Sequence, residues 1–212
     1  MPLRLAAVCG LLAPVAFVVG LVAGDLVQPE AFSPADDNIS DLGALTASSP
    51  WLYNQVASNL TGLLILGLAL GLWSALGSGL LARSGVVALA VVAVGRFLEG
   101  FLRLDCQGID VACDNDSWHS SAHRVESGIS SAATFLAPLL LAFAFRRLPE
   151  WRRLWLPTLL TVPATIVAAV LFSIIGDGAS TRAATIVWVL WLGLVAFWLL
   201  RVAERRTVGP PP

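Results

Sequence analysis

The chain has 212 residues, 57% of them hydrophobic and 13% charged, with a formal net charge of −1 and a mean hydropathy of +0.81. Soluble domains carry about 25% charged residues and about half apolar ones, so this balance excludes an ordinary soluble domain and indicates an integral membrane protein. The net charge itself says nothing about nucleic acid, and no basic run suggests that the chain binds any.

A helix crosses the hydrocarbon core with about 20 apolar residues. Six stretches reach that length, at about residues 5–27, 53–76, 81–104, 120–145, 154–176 and 179–202. They predict an all-α fold: one polytopic helical bundle with six transmembrane helices over residues 1–206 and a disordered tail at 207–212. The first stretch follows Arg4 and is longer than a secretory signal core of about 7–15 residues, so it reads as an uncleaved anchor. The loop after it, "QPEAFSPADDNISDLGALTASSP", is rich in acids and turn formers; long loops of this kind are more often functional or folded caps than slack. The second span opens with Asn54, Ser58 and Thr61 on one face. The third carries Arg96, Glu99 and Arg103 at spacings of three and four. Gly62, Gly67 and Gly71 in the second span, and Gly85, Gly95 and Gly100 in the third, allow backbones to approach closely.

Cys106 and Cys113 lie in the following loop, separated by six residues. That spacing can close a small disulfide ring, which an oxidising exterior would preserve; two free thiols and a metal pair are the alternatives. The fourth span begins with the polar stretch "DSWHSSAHRVESG". At about 100° per residue, Asp116, His119, His123, Glu126, Ser130 and Thr134 fall within an arc of about 80°.

Arginine sets the expected orientation, because cytoplasmic loops carry the basic excess. Arg4, Arg83, Arg146, Arg147, Arg152, Arg153, Arg201, Arg205 and Arg206 all fall on one side of the six spans. Both termini are therefore expected in the cytoplasm of a cell-membrane protein. The polar intramembrane residues then lie almost entirely in the outer half, above apolar inner halves. A charge at the bilayer centre costs a few kcal/mol or more, roughly, so these groups should face protein or water. This distribution predicts an extracytoplasmic pocket rather than a channel. Its expected members are Asp41, Asn54, Ser58, Arg96, Glu99, Arg103, Asp105, His119, His123 and Glu126, walled by spans two, three and four and lidded by the acidic loop and the Cys loop.

Each constellation has two readings. Arg96, Glu99 and Arg103 are either pocket groups or a structural ion ladder. The two histidines are either ordinary interfacial polarity or metal ligands, since His-x3-His places two imidazoles one helical turn apart. In the metal reading zinc is the candidate cofactor, held by His119, His123 and Asp105, and Glu126 or Ser120 is the candidate catalytic group.

The loop "FSPADDNISDLGA" before "LYNQVASNLTGLLILGLALGLW", the span ending "GRFLEGFLRLD", and His123 in "WHSSAHRVESG" together resemble a bacterial and archaeal membrane family, domain of unknown function 998. The resemblance covers about residues 5–205, with "ISDLGA" its most distinctive piece. It implies roughly six spans, supplies no reaction, and lends weight to Ser40, Asp41, Asp105 and His123. A looser likeness is to membrane hydrolases of the alkaline ceramidase type, which use His, Asp and Ser around zinc. This chain departs from them in having fewer predicted spans and in placing its His pair in the fourth. The preferred expectation is a non-enzymatic protein binding a lipid headgroup, small molecule or cation; the alternative is a zinc-dependent hydrolase acting on a lipid at the outer leaflet. The bilayer is the expected partner, and oligomeric state is left open.

Overall fold

A computed structural model describes residues 1–208. Six helices are long and apolar enough to cross a membrane: α1 (Leu3–Leu26), α2 (Leu52–Ala75), α3 (Leu80–Glu99), α4 (Trp118–Arg147), α5 (Trp155–Phe172) and α6 (Asp177–Val208). A 3-10 turn, Pro149–Leu154, extends α5 backwards so that the fifth span covers Pro149–Phe172. No strand occurs among the described residues. The expected six-span, all-α architecture is therefore present.

The helices form a ring in chain order, each packed on its neighbours, and α1 against α6 closes it. In a bilayer the packing of small residues does much of the work, because lipid tails are as apolar as leucine. A Cβ at Gly62 would meet the backbone N of Phe97 at 2.6 Å, and one at Gly85 would meet Leu141 Cγ at 2.8 Å. The α2–α3 and α3–α4 seams are thus set by glycine. At the end bearing both chain termini the ring collapses onto itself. Leu68, Leu72, Leu192, Ala196 and Leu199 are fully buried there, and a Cβ at Gly71 would strike Ala6 from α1. Arg4 bonds Thr207 at 3.1 Å and Arg206 reaches Glu150 at 2.8 Å, which places the termini and the α4–α5 turn together.

The opposite end is built from two interlocked loops. Residues 28–51 contain a short 3-10 turn, Ile39–Gly43, and run over the top of the ring. Gly178 N–H donates to Asp36 C=O at 3.2 Å, Ala179 N–H donates to Ala35 C=O at 2.8 Å, and Arg182 pairs with Asp25 at 2.6 Å. The second loop, residues 100–117, is closed by a Cys106–Cys113 disulfide, as the spacing predicted. Leu45 N–H donates to Leu104 C=O at 2.9 Å, and Gln107 Nε2 donates to Gln28 Oε1 at 3.0 Å, joining the two loops.

Three boundaries differ from expectation. The helix α3 ends at Glu99 rather than near residue 104. Asn59 Nδ2 takes the Phe97 carbonyl at 2.5 Å, and Gly100 is pressed against Asn54 and Asn59 of α2, so the chain turns away. The helix α5 stops at Phe172, short of 176, and the turn that follows brings Gly176 against the Ala35 backbone. The helix α6 runs to Val208 and so takes in Thr207 and Val208 of the expected tail; residues 209–212 lie outside the described residues.

Candidate functional site

The opening turns of α2, Leu52–Leu60, have the wide i→i+5 winding of a π-helix, and Thr61 Oγ1 accordingly donates to Val56 C=O five residues back, at 3.2 Å. This winding buries Tyr53 and Asn54 side by side. The Tyr53 hydroxyl donates to Glu99 Oε1 at 2.7 Å. Arg96, one turn earlier on α3, gives one guanidinium nitrogen to Glu99 Oε2 at 2.5 Å and to the Tyr53 oxygen at 3.2 Å. It also stands 5.3 Å over the Phe17 ring of α1. Glu99 is thus held by a charge-assisted bond and a phenol.

Across from this triad lies α4. A Cβ at Gly95 would overlap Ser130 Oγ and Glu126 Oε1, so the missing side chain is what lets these groups reach α3. Ser130 Oγ donates to Glu126 Oε1 at 2.6 Å. The other carboxylate oxygen, Oε2, is buried and meets no hydrogen-bond partner among the described residues.

These groups line a cavity of about 310 Å³ inside the ring, within the usual range for a small-molecule site. From α3 it receives Val92, Arg96 and Glu99, and from α4 the stretch from Glu126 to Phe135. Thr165 of α5 and Thr181, Ala184, Thr185 and Trp188 of α6 face them. Asn38, Ile39 and Ser40 of the first loop roof it. Its floor is Trp188, whose indole N–H donates to the Thr134 carbonyl at 3.1 Å across the ring. Beyond Thr165 the residues of α5 are exposed or half-buried. Ser131, Phe135 (38% exposed) and Thr181 form the rim there. The first loop thus lies over one end of the cavity and Trp188 at the other, and the exposed members of its lining, Ser131, Phe135 and Thr181, belong to α4 and α6.

The expected pocket residues separate into two groups. Arg96, Glu99 and Glu126 share the cavity. Asp41, Asn54, Asp105, His119 and His123 belong instead to the loop network above it. Asn54 Nδ2 donates to Gly43 C=O at 3.0 Å and pins the first loop to α2. Asp41 is buried beside Gly108; burial pushes its carboxyl up, against the opposing pull of the Gly108 and Asn38 backbone amides. Asp105 Oδ2 accepts from Ser117 N–H at 2.9 Å at the start of α4, and hydrogen bonds from Ser117 hold this carboxyl below its ordinary value. His119 Nδ1 lies 2.9 Å from Ser117 Oγ and 3.5 Å from Asp105 Oδ1. His123 Nδ1 is 2.8 Å from the Leu102 carbonyl, to which it donates, and so secures the chain where α3 has ended. Ser58 is buried without a partner among the described residues and lies outside the cavity.

Arg103 does not continue the Arg96–Glu99 face, because the helix has ended; its carbonyl accepts from Ser120 Oγ at 3.5 Å. Ser120, fully buried, also accepts from Asp105 N–H at 2.9 Å and is not among the residues that line the cavity. Among the described residues no three His, Cys, Asp or Glu side chains converge as a metal site. The walls differ from expectation as well. The helices α5 and α6 supply one side, α2 contributes only Tyr53, and the Cys loop supplies no lining residue.

Sequence reasoning passed over Tyr53, Thr165, Thr181, Thr185 and Trp188. A signal for one wall was present: Thr158, Thr161 and Thr165 recur at helical spacing and are the buried residues of α5. Ser40, weighted only through the family likeness, does line the cavity.

These features define a multi-pass helical membrane protein with a polar interior confined to its loop-bearing half. Residues 11–202 match the family described as "Protein of unknown function (DUF998)", and the chain belongs to that family. No curated relative and no solved structure matches it.

Proposed function

We propose that this chain is a non-enzymatic membrane protein that admits the polar head of an amphiphile, from the outer leaflet, into the cavity between α4 and α6. Both termini lie in the cytoplasm in this reading. The supporting observation for that orientation is the arginine excess at the end where the termini meet.

The observation that carries the reading is the shape of the opening. A site for a water-soluble ligand would open upward, yet the roof is pinned by the Arg182–Asp25 pair and by backbone bonds from Gly178 and Ala179. The rim at Ser131 and Phe135 belongs to a membrane-spanning helix. An amphiphile suits such a site: its head replaces water on the polar wall, while its chain stays in hydrocarbon. The zinc-hydrolase alternative has no comparable support. His123 donates one ring nitrogen to the Leu102 carbonyl, and His119 and Asp105 are occupied at the start of α4.

Organic extraction of the purified protein followed by mass spectrometry tests the reading. Wild type should retain about one specific amphiphile per chain. Ser131→Trp, which fills the rim, should lose it, whereas Leu139→Trp, on the exposed face of the same helix farther from the loops, should keep it. Equal lipid content in all three proteins would refute the proposal.

A further inference from the structure

The cavity wall carries two carboxylates and one guanidinium, and the guanidinium is already engaged. Arg96 serves Glu99, and the Tyr53 hydroxyl completes that pair. Glu126 stands apart with one oxygen satisfied by Ser130 and the other, Oε2, buried without a donor among the described residues. Buried polar groups almost always find a partner, and a missing one points to a group supplied from elsewhere. Protonating Glu126 at Oε1, with Ser130 Oγ as the acceptor, would neutralise the group but still leave Oε2 without a donor.

A second unpaired polar side chain lines the same cavity. Thr165 is 5% exposed, faces the cavity from α5, and its Oγ1 has no partner among the described residues. A hydroxyl donates one bond and accepts others, so it is matched by a ligand oxygen. Glu126 asks for a donor, preferably a cation, and Thr165 for an oxygen. An anionic head such as a phosphate would set like charge against Glu99 and Glu126, with only the committed Arg96 to offset it.

Resting on the binding reading above, we propose that the ligand is an amphiphile whose head carries a primary ammonium beside a hydroxyl or carbonyl oxygen. The ammonium donates to Glu126, the oxygen meets Thr165, and the chain leaves past Ser131 and Phe135. An ammonium has three donors, enough for Glu126 Oε2 and for neighbouring hydroxyls such as Ser127.

Binding of three probes to the full chain in a neutral detergent tests this: 2-aminododecan-1-ol, dodecyl phosphate and ethanolamine. The amino alcohol should bind at least about tenfold more tightly than either of the others. Glu126→Gln should weaken it by about tenfold or more and Thr165→Val by a smaller factor. The wild-type comparison needs no variant and so stands even if one fails to fold. Dodecyl phosphate binding as well as the amino alcohol, and lost in Ser131→Trp, would overturn the ammonium assignment while leaving the cavity reading intact. Ethanolamine binding equally well would overturn the amphiphile and indicate a soluble amine. If neither amphiphile binds, both readings fall.

Discussion

Glu99 and Glu126 sit on facing helices at similar depth, yet their surroundings differ. The first is covered by Arg96 and Tyr53; the second keeps a bare oxygen. The carboxylates of the loop network differ just as clearly. Asp105 is held below its ordinary value of 3.8 by Ser117, so it stabilises the fold above about pH 4, and that contribution is lost as the pH falls through the depressed value. Asp41 is raised above 3.8 by burial, so its ionised form costs stability at neutral pH, and the cost disappears as the pH falls through the raised value. Thermal unfolding of the solubilised protein should therefore show Asp105→Asn less stable than wild type at pH 7, with the gap closing below about pH 4. Asp41→Asn should be neutral or stabilising at pH 7. An Asp105→Asn protein as stable as wild type at pH 7 would contradict the role given to Ser117.

Between elements, α3 and α4 meet where glycine permits it. Gly95 admits Ser130 and Glu126, whereas Gly128 on α4 has nothing within 4 Å of its missing Cβ. Gly95→Leu should lower the unfolding midpoint, at an overpacking cost of about 1–3 kcal/mol, while Gly128→Leu should leave it nearly unchanged. Equal effects from the two would show that the α3–α4 seam is not set at Gly95. The sequence announces this seam through its glycines, but not the end of α3. That end depends on Asn59 of another helix capturing the Phe97 carbonyl, a long-range event with no local signature. The π-winding of α2 is equally hidden, and it is what carries Tyr53 into the triad.

Across the whole molecule, the span count, the disulfide and the confinement of polar groups to one half were all legible, because each follows from composition or short spacing. The division of those polar groups was not. On a helical wheel His119, His123 and Glu126 share one stripe, but a wheel has no depth. The upper residues of that stripe meet the turn that follows α3, and only those from Glu126 downward face a hollow. The contribution of α5 and α6 was missed for a related reason: threonines in an apolar span read as neutral filler until a ring closes around them.

The most direct test is thiol reactivity in membranes, using a bilayer-permeant maleimide, which modifies only thiols hydrated enough to ionise, on a Cys9→Ala chain with its disulfide retained. Single cysteines at Ser131 and Thr185 should react and be protected by 2-aminododecan-1-ol, while Leu139→Cys, on the exposed face of α4, stays unmodified. Unreactive Ser131→Cys and Thr185→Cys, or labelling of Leu139→Cys at the same rate, would mean that no hydrated recess opens between α4 and α6.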